Sequence, residues 1–268
     1  MMNELVATAL RAGDAIMSVY QGGAIDSRLK NDGSPVTLAD AAAEAIILSD
    51  LARSAPDIPV VAEEAAAAGQ TPVTGARFFL VDPLDGTREF LGRNGEFTVN
   101  IALIEDGTPV LGVVYAPVPG DIYVGGGLGG ARHAKVLGGQ IQAWRAIAAR
   151  APADGGLDVL ASRSHLSEET RAFIDRFEVA RMVQAGSSLK FCRLAAGEAD
   201  LYPRLGRTME WDTAAADAVL RAAGGSVLTL DGRALVYGKR GQPGEADFAN
   251  PWFVACGRFD PFARLAAA

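Results

Sequence analysis

Asp82-Pro83-Leu84-Asp85-Gly86-Thr87 stands where an apolar run, Arg77 to Val81, gives way to a polar turn. The run reads as a buried strand that finishes in acid. Pro83 fixes its own backbone angle and Gly86 permits a tight reversal, so together they bring the Asp82 and Asp85 carboxylates to one side. Two carboxylates that close repel. Unless one takes up a proton, the site needs a cation, and oxygen ligands with no His or Cys nearby favour Mg²⁺ over zinc. The Leu84 carbonyl lies between them as a further oxygen donor. Standing alone, the segment reads more simply as a turn in which both aspartates bond the backbone.

Working outward, Ile58 to Ala62 is a second short apolar run and ends in Glu63-Glu64, so two strands finish in acid. Upstream, Leu5, Val6, Leu10, Ile16, Met17 and Tyr20 recur at helical spacing over Asn3 to Tyr20. A second helix starts after Thr37 as cap and runs through Leu38, Ile46, Ile47 and Leu51 to a stop before Pro56. Downstream, Phe97 to Ile104 and Pro109 to Tyr115 flank an Asp106-Gly107 hairpin turn, and Asp121 to Val124 adds a strand. The Gly- and Ala-rich region from 125 to 150 reads as a seam between halves, residues 1–140 and 141–268, and Gly125 to Gly130 as a loose turn. Beyond it, strands at Leu157–Ala161, Arg181–Gln184 and Ala199–Tyr202 alternate with helices at Ser167–Phe177 and Ser187–Ala196, as α/β units do. A helix from Asp212 to Ala223, a hairpin at Asp231-Gly232 and a strand at Phe253–Ala255 complete the pattern.

The chain has 268 residues with 49% apolar and 21% charged side chains, ordinary globular usage that excludes a disordered protein. Its net charge of −7 disfavours a nucleic acid polymer as partner. No apolar run is long enough for stable membrane insertion, and Glu4, Arg11 and Asp14 interrupt the region where a signal peptide needs an apolar core, so a cytoplasmic location is expected. Cys192 and Cys256 read as buried free thiols, and His133 as structural.

Company changes the reading of the acids. Alone, Glu64 is a solvated charge, Asp212 a helix cap, and Asp40, three residues after Thr37, the second half of a capping box. Yet Asp82-Pro83-Leu84-Asp85-Gly86-Thr87 together with Trp211-Asp212-Thr213-Ala214-Ala215 resembles the two signatures of the inositol monophosphatase superfamily of Mg²⁺-dependent, lithium-sensitive phosphatases. Ser34-Pro35-Val36-Thr37, Ala39 and Asp40 match as well. Arg88-Glu89-Phe90 and the stretch from Arg93 to Leu103 resemble its bacterial 3'(2'),5'-bisphosphate nucleotidase branch. The resemblance runs from the first helix to the last strand and departs at Ala65-Ala66-Ala67-Ala68-Gly69, where the branch has an acidic or Pro-containing loop.

The resemblance implies an α+β N-terminal half and an α/β C-terminal half in a layered αβαβα sandwich of the inositol monophosphatase and fructose 1,6-bisphosphatase type. It implies two or three Mg²⁺ ions: Glu63, Asp82 and the Leu84 carbonyl hold one, and Asp82, Asp85 and Asp212 another. By the same pattern Thr87 orients the attacking water and passes its proton to Asp40, while Gly86 and Thr87 amides cradle the phosphate, with Asp212 also facing substrate. The substrate implied is a small phosphorylated nucleotide, adenosine 3',5'-bisphosphate and also its sulfated relative in sulfate assimilation, held by His165, Ser187, Lys190 and Arg204. From the residues themselves, Arg163, Lys190 and Arg204 at strand ends form a local anion trap if they share one cleft. An inositol monophosphatase, a fructose 1,6-bisphosphatase and a non-catalytic metal-bearing nucleotide or phosphosugar sensor are the alternatives.

Overall fold

The computed structural model describes residues 1–22, 27–29, 35–162 and 166–266. Its helices are α1 (Met2–Gln21), α2 (Leu38–Ser54), α3 (Glu63–Ala67), α4 (Thr87–Leu91), α5 (Glu168–Ile174), α6 (Leu189–Ala195), α7 (Ala214–Ala222) and α8 (Pro261–Ala266). The larger sheet has eight strands, and its main path runs from Arg145–Ala146 through Arg132–Leu137, Asp121–Gly126, Thr108–Ala116, Thr98–Glu105 and Arg77–Asp85 to Val60–Ala62. Its neighbours pair antiparallel except Val60–Ala62, which lies parallel to Arg77–Asp85. A five-stranded sheet orders Val179–Ala185, Leu157–Ser162, Leu201–Arg204, Phe253–Cys256 and Ser226–Thr229.

Side-chain alternation along the larger sheet builds the layers. Phe79, Val81, Val99, Ile101 and Leu103 point to one face and meet Leu5, Ala9, Ala12 and Ile16 of α1 and Ala39, Ala43, Ile47 and Leu51 of α2. Phe78, Leu80, Ala102 and Ile104 point to the other and meet α6 and α7, whose far side packs on Leu160, Tyr202, Phe253 and Ala255 of the smaller sheet. The outer face of that sheet, with Val159, Leu201 and Val254, is covered by Phe173 and Ile174 of α5 and by Phe262 and Leu265 of α8. The order helix, sheet, helix, sheet, helix is the expected αβαβα sandwich. Burial on both faces explains why these strands read as continuous apolar runs.

The glycine-rich region differs from expectation. Gly125 and Gly126 end a strand rather than a loose turn, with only Gly127–Gly129 in a 3₁₀ turn, and three further strands of the larger sheet follow before residue 147. The reason is close approach. A Cβ on Gly125 would stand 2.3 Å from Val219 Cα, and one on Gly112 would stand 2.1 Å from the Ala215 carbonyl oxygen, so the glycines let α7 lie directly on the sheet. Cys192 and Cys256 are buried and free, in cores on opposite faces of the smaller sheet. His133 is structural, 2.7 Å from Asp121 and stacked on Tyr123. Among the described residues no helix is long and apolar enough to cross a membrane.

Two outcomes follow from this packing. Gly125→Ala forces α7 off the sheet and should cost about 1–3 kcal/mol in urea unfolding, the usual penalty of overpacking. The second concerns Asp50, which ties α2 to α1. Burial alone would raise its carboxyl, but hydrogen bonds from Arg11, Thr8 and Arg53 hold it below the ordinary range. A depressed carboxyl stabilises the fold above its unfolded pKa and loses that contribution as pH falls. Asp50→Asn should therefore be less stable than the parent by about 1 kcal/mol at pH 7, with the gap closing below about pH 4.

Candidate active site

A cleft of about 370 Å³ opens between the two sheets at the end of the Arg77–Asp85 strand. It gathers Glu63, Asp82, Leu84, Asp85, Gly86, Thr87, Ser187, Lys190, Arg204 and Asp212, so residues up to 149 positions apart in the sequence share one wall or its opposite. Arg163 and His165 lie outside the described residues.

Each acid is aimed by a local device. Pairing of the Arg77–Asp85 strand with its neighbour breaks between Asp82 and Asp85, where Pro83 lacks an N–H. In that break Leu84 N donates to Asp82 Oδ1 at 3.0 Å, so the turn hydrogen bond expected of an aspartate is made, by one oxygen only. Gly86 then takes φ +94°, and a Cβ there would stand 3.2 Å from the Glu96 carbonyl oxygen, which makes glycine the fitting residue before α4. Asp212 does not open a long helix as expected. It closes a 3₁₀ turn, Glu210–Asp212, and its Oδ2 accepts Met209 N at 2.8 Å. That turn is clamped from outside: Glu210, fully buried, accepts Gly238 N and Lys239 N, and Asn250 Nδ2 donates to the Met209 carbonyl at 2.8 Å.

Glu63 depends on a residue that motif reading passes over. It begins α3, whose capping position is Ala62 with no side chain to offer, and buried Glu44 of α2 accepts Glu64 N at 2.8 Å and Ala65 N at 2.9 Å instead. The run Ala65 to Ala67 that departs from the family continues this short helix, and Gly69 at φ +76° reverses the chain after it. One turn earlier on α2, Asp40 Oδ2 accepts Thr37 N at 2.8 Å and Thr37 Oγ1 at 2.7 Å, completing the capping box. Its other oxygen, Oδ1, stands 3.4 Å from Thr87 Oγ1. The helix-cap and reaction-site readings of Asp40 therefore use different oxygens of one carboxylate.

Asp85 is held from the opposite half. Its Oδ2 accepts Ser187 Oγ and Ser188 N, each at 2.6 Å. Ser187 sits at φ +52°, a conformation that L residues avoid, and is kept there by this bond and by Lys190 Nζ donating to its carbonyl at 2.6 Å. Thr98, Asn100 and Ser188 complete a buried polar group behind Asp85. Ser188, Glu44, Glu210 and Asn250 carried no assigned role, and Thr98 and Asn100 lay in a matching stretch without one; all six become legible only once strand pairing and chain crossing are known.

The electrostatics follow from this crowding. Burial, then the charges of Glu63, Asp85 and Asp212, pushes the Asp82 carboxyl well above its ordinary range. Asp212 is pushed up by burial and then by Asp85 and Glu63. Asp85 rises less far, because burial is opposed by Ser187 and by the Lys190 charge. Lys190 is 4% exposed, and burial brings its ammonium down to about 8. It spends donors on the Ala185 and Ser187 carbonyls and lies 5.1 Å over the Tyr202 ring, so it steadies its own loop as well as charging the cleft. Arg204 and Arg207, the latter not singled out from sequence, add positive charge on the same side.

The donor set suits a hard divalent cation: Glu63, Asp82, Asp85, Asp212 and the Leu84 carbonyl, with Glu89 also in the lining and no His or Cys among the described residues there. Among the described residues no three of the acids are drawn into a closed ligand shell. Asp82, Asp85 and Asp212 each commit one oxygen to the scaffold, and Asp82 also shares a side-chain hydrogen bond with Glu63.

A five-layered sandwich with carboxylates at the seam and cations facing them is the architecture of a family of phosphatases. The chain belongs to the inositol monophosphatase family, whose sequence model matches residues 1–254. It is 45% identical over 254 residues to the 3'(2'),5'-bisphosphate nucleotidase CysQ of Salmonella typhimurium, covering 94% of this chain and 98% of that one. The protein of the same name from Escherichia coli K12 is 44% identical over 94% of this chain and 98% of its own. Among solved structures, CysQ from Bacteroides thetaiotaomicron superposes with a TM-score of 0.78 at 35% identity, covering 96% of this chain and 97% of that one. An inositol monophosphatase from Anabaena, 22% identical with a TM-score of 0.75 over 99% of this chain and 94% of that one, shares the fold.

The support of Glu63 can be checked alone. Glu44→Gln turns an amide donor toward one of two backbone N–H groups and should cost about 1–3 kcal/mol in chemical denaturation, the usual penalty for an unpaired buried polar group.

Proposed function

We propose that the protein removes the 3'-phosphate of adenosine 3',5'-bisphosphate, giving AMP and phosphate, with Mg²⁺ held by Glu63, Asp82, Asp85, Asp212 and the Leu84 carbonyl. The observation that carries this reading is the convergence of those five groups with Thr87 in one cleft lined on its other side by Lys190, Arg204 and Arg207, with buried Asp40 3.4 Å behind Thr87. Divalent cations there supply charge neutralisation of the acids and of the phosphoryl oxygens, and they acidify water. The Thr87 hydroxyl orients the attacking water and relays its proton to Asp40 Oδ1, the carboxylate oxygen nearest to it at 3.4 Å. Water adds to phosphorus and the bond to the ribose 3'-oxygen breaks; that oxygen takes a proton from a second cleft water and leaves as the 3'-hydroxyl, and the proton held by Asp40 returns to the hydroxide so formed, so that one water is consumed. The Gly86 and Thr87 amides hold the phosphoryl oxygens at the start of α4.

Support for a nucleotide comes from the other wall. Arg204 and Arg207 suit the phosphate that is not cleaved, over a floor of packed aromatic side chains that includes Phe191, Tyr202 and Phe253. The identity of nearly half the residues with nucleotidases named CysQ favours the same substrate here. Sulfate assimilation and a cytoplasmic setting suit that substrate.

Phosphate release from adenosine 3',5'-bisphosphate, inositol 1-phosphate and fructose 1,6-bisphosphate, with and without Mg²⁺ after chelation, tests the reading. The expected order puts the nucleotide first, with activity lost on chelation; preference for inositol 1-phosphate makes the protein an inositol phosphatase, and full activity after chelation removes the metal. Asp85→Asn should abolish turnover while leaving the metal-free fold intact, and Thr87→Ala should lose turnover but keep Mg²⁺ binding. Arg204→Met should cut kcat/KM for the nucleotide at least tenfold, about 1.4 kcal/mol, and affect inositol 1-phosphate much less. Arg204 is a cleaner probe than Lys190, whose ammonium also holds the Ser187 loop.

A further inference from the structure

Asn100 is 1% exposed and stands across from Asp82 in the pairing of the Thr98–Glu105 and Arg77–Asp85 strands. Residues opposite one another in an antiparallel pair leave the sheet on the same face, with Cβ atoms about 4.5–5.5 Å apart. Alternation puts that face toward the second half, the side taken by Leu80 and Ala102. The amide oxygen of Asn100 is committed, accepting Ser188 Oγ at 2.8 Å with Thr98 Oγ1 at 3.4 Å. The amide nitrogen is not: Nδ2 is buried and has no hydrogen-bond partner among the described residues.

A buried donor with nothing to bond is costly, and native folds rarely keep one without a use. Turning the amide over would let Nδ2 donate to Ser188, but it would set Oδ1 against the Asp82 carboxylate. The orientation present keeps a donor, not an acceptor, on the face shared with Asp82, whose carboxylate has one backbone donor among the described residues, Leu84 N on Oδ1.

We propose that Asn100 is a positioning residue for Asp82: Nδ2 donates to the Asp82 carboxylate when the cleft holds its divalent cation, fixing the direction of the ligand oxygen, and Ser188 keeps the amide turned for that purpose. The proposal rests on the reading of the cleft as a divalent-cation site. It accounts for a buried amide beside the most deeply buried acid of the cluster, and for a contact from the second half that reaches past Asp85 to Asn100.

Thermal melting of the full chain over a Mg²⁺ titration tests it. Asn100→Val removes both amide atoms in a residue suited to a strand, and Ser188 can turn its hydroxyl to Thr98 Oγ1, 2.8 Å away. The metal-free Tm should stay level or rise, while the Mg²⁺ concentration giving half of the thermal shift rises about tenfold. Ser188→Ala leaves the strand untouched and frees the amide to turn, so its midpoint should rise about threefold; it decides the matter alone if Asn100→Val fails to fold. Midpoints within error of the parent in every folded variant overturn the proposal. A parent whose Tm does not respond to Mg²⁺ or Mn²⁺ overturns the cation site beneath it, an outcome distinct from unchanged midpoints in a responsive parent.

Discussion

Carboxylates drawn together in a partly buried cleft repel more strongly than they would in water, and the surrounding chain is arranged to bear that repulsion. Asp82, Asp85 and Asp212 are each anchored through one oxygen to a backbone amide, with a serine hydroxyl added at Asp85. Glu63 is anchored indirectly, through the hold of Glu44 on the start of α3. An anchored carboxylate cannot rotate away from its neighbours, so the strain is relieved by taking up protons or by a cation. The raised carboxyls of Asp82 and Asp212 express the first, and the cation proposed for the cleft would supply the second.

Holding the acids in place requires that the two halves not move apart. The middle layer secures this, because α7 packs on the glycines of the larger sheet on one side and near the inner face of the smaller sheet on the other. The Gly186-Ser187-Ser188 turn adds a polar crossing at the cleft itself. Gly186 N donates to Glu96 Oε2 at 2.9 Å, and a Cβ on Gly186 would stand 2.9 Å from the Glu96 carbonyl oxygen, so the turn fits closely over the first half. Lys190, which lines the cleft, is wired into the same turn through the Ser187 carbonyl, and Ser187 in turn holds Asp85.

Asp40 shows how one side chain can complete a helix cap and still face Thr87. Its place three residues after Thr37 makes it a capping-box residue by local rules alone, and the box is present. The same cap fixes the rotamer, which leaves Oδ1 aimed at Thr87. Local structure here serves the site, and the two readings of Asp40 do not compete.

The amino-acid sequence determined the elements whose signals are local. The long helices follow from apolar spacing and the Thr37 cap, the hairpin at Asp106-Gly107 from its turn residues, and the turn at Asp82 to Thr87 from Pro83 and Gly86. The resemblance of two short segments was enough to name the family and the acids. Tertiary structure decided the rest. Gly125 looked like loop because nothing near it in sequence announces α7, ninety residues away, pressing on the sheet. Asp212 looked like the start of a helix because the clamp by Glu210 and Asn250 involves a segment with no periodic pattern. Ser188, Thr98, Asn100 and Glu44 acquire meaning only through pairing across 20 to 90 residues. Propensity and turn chemistry act over a few neighbours, whereas ligand geometry is set by which backbone donors and side chains the packed layers bring against each acid.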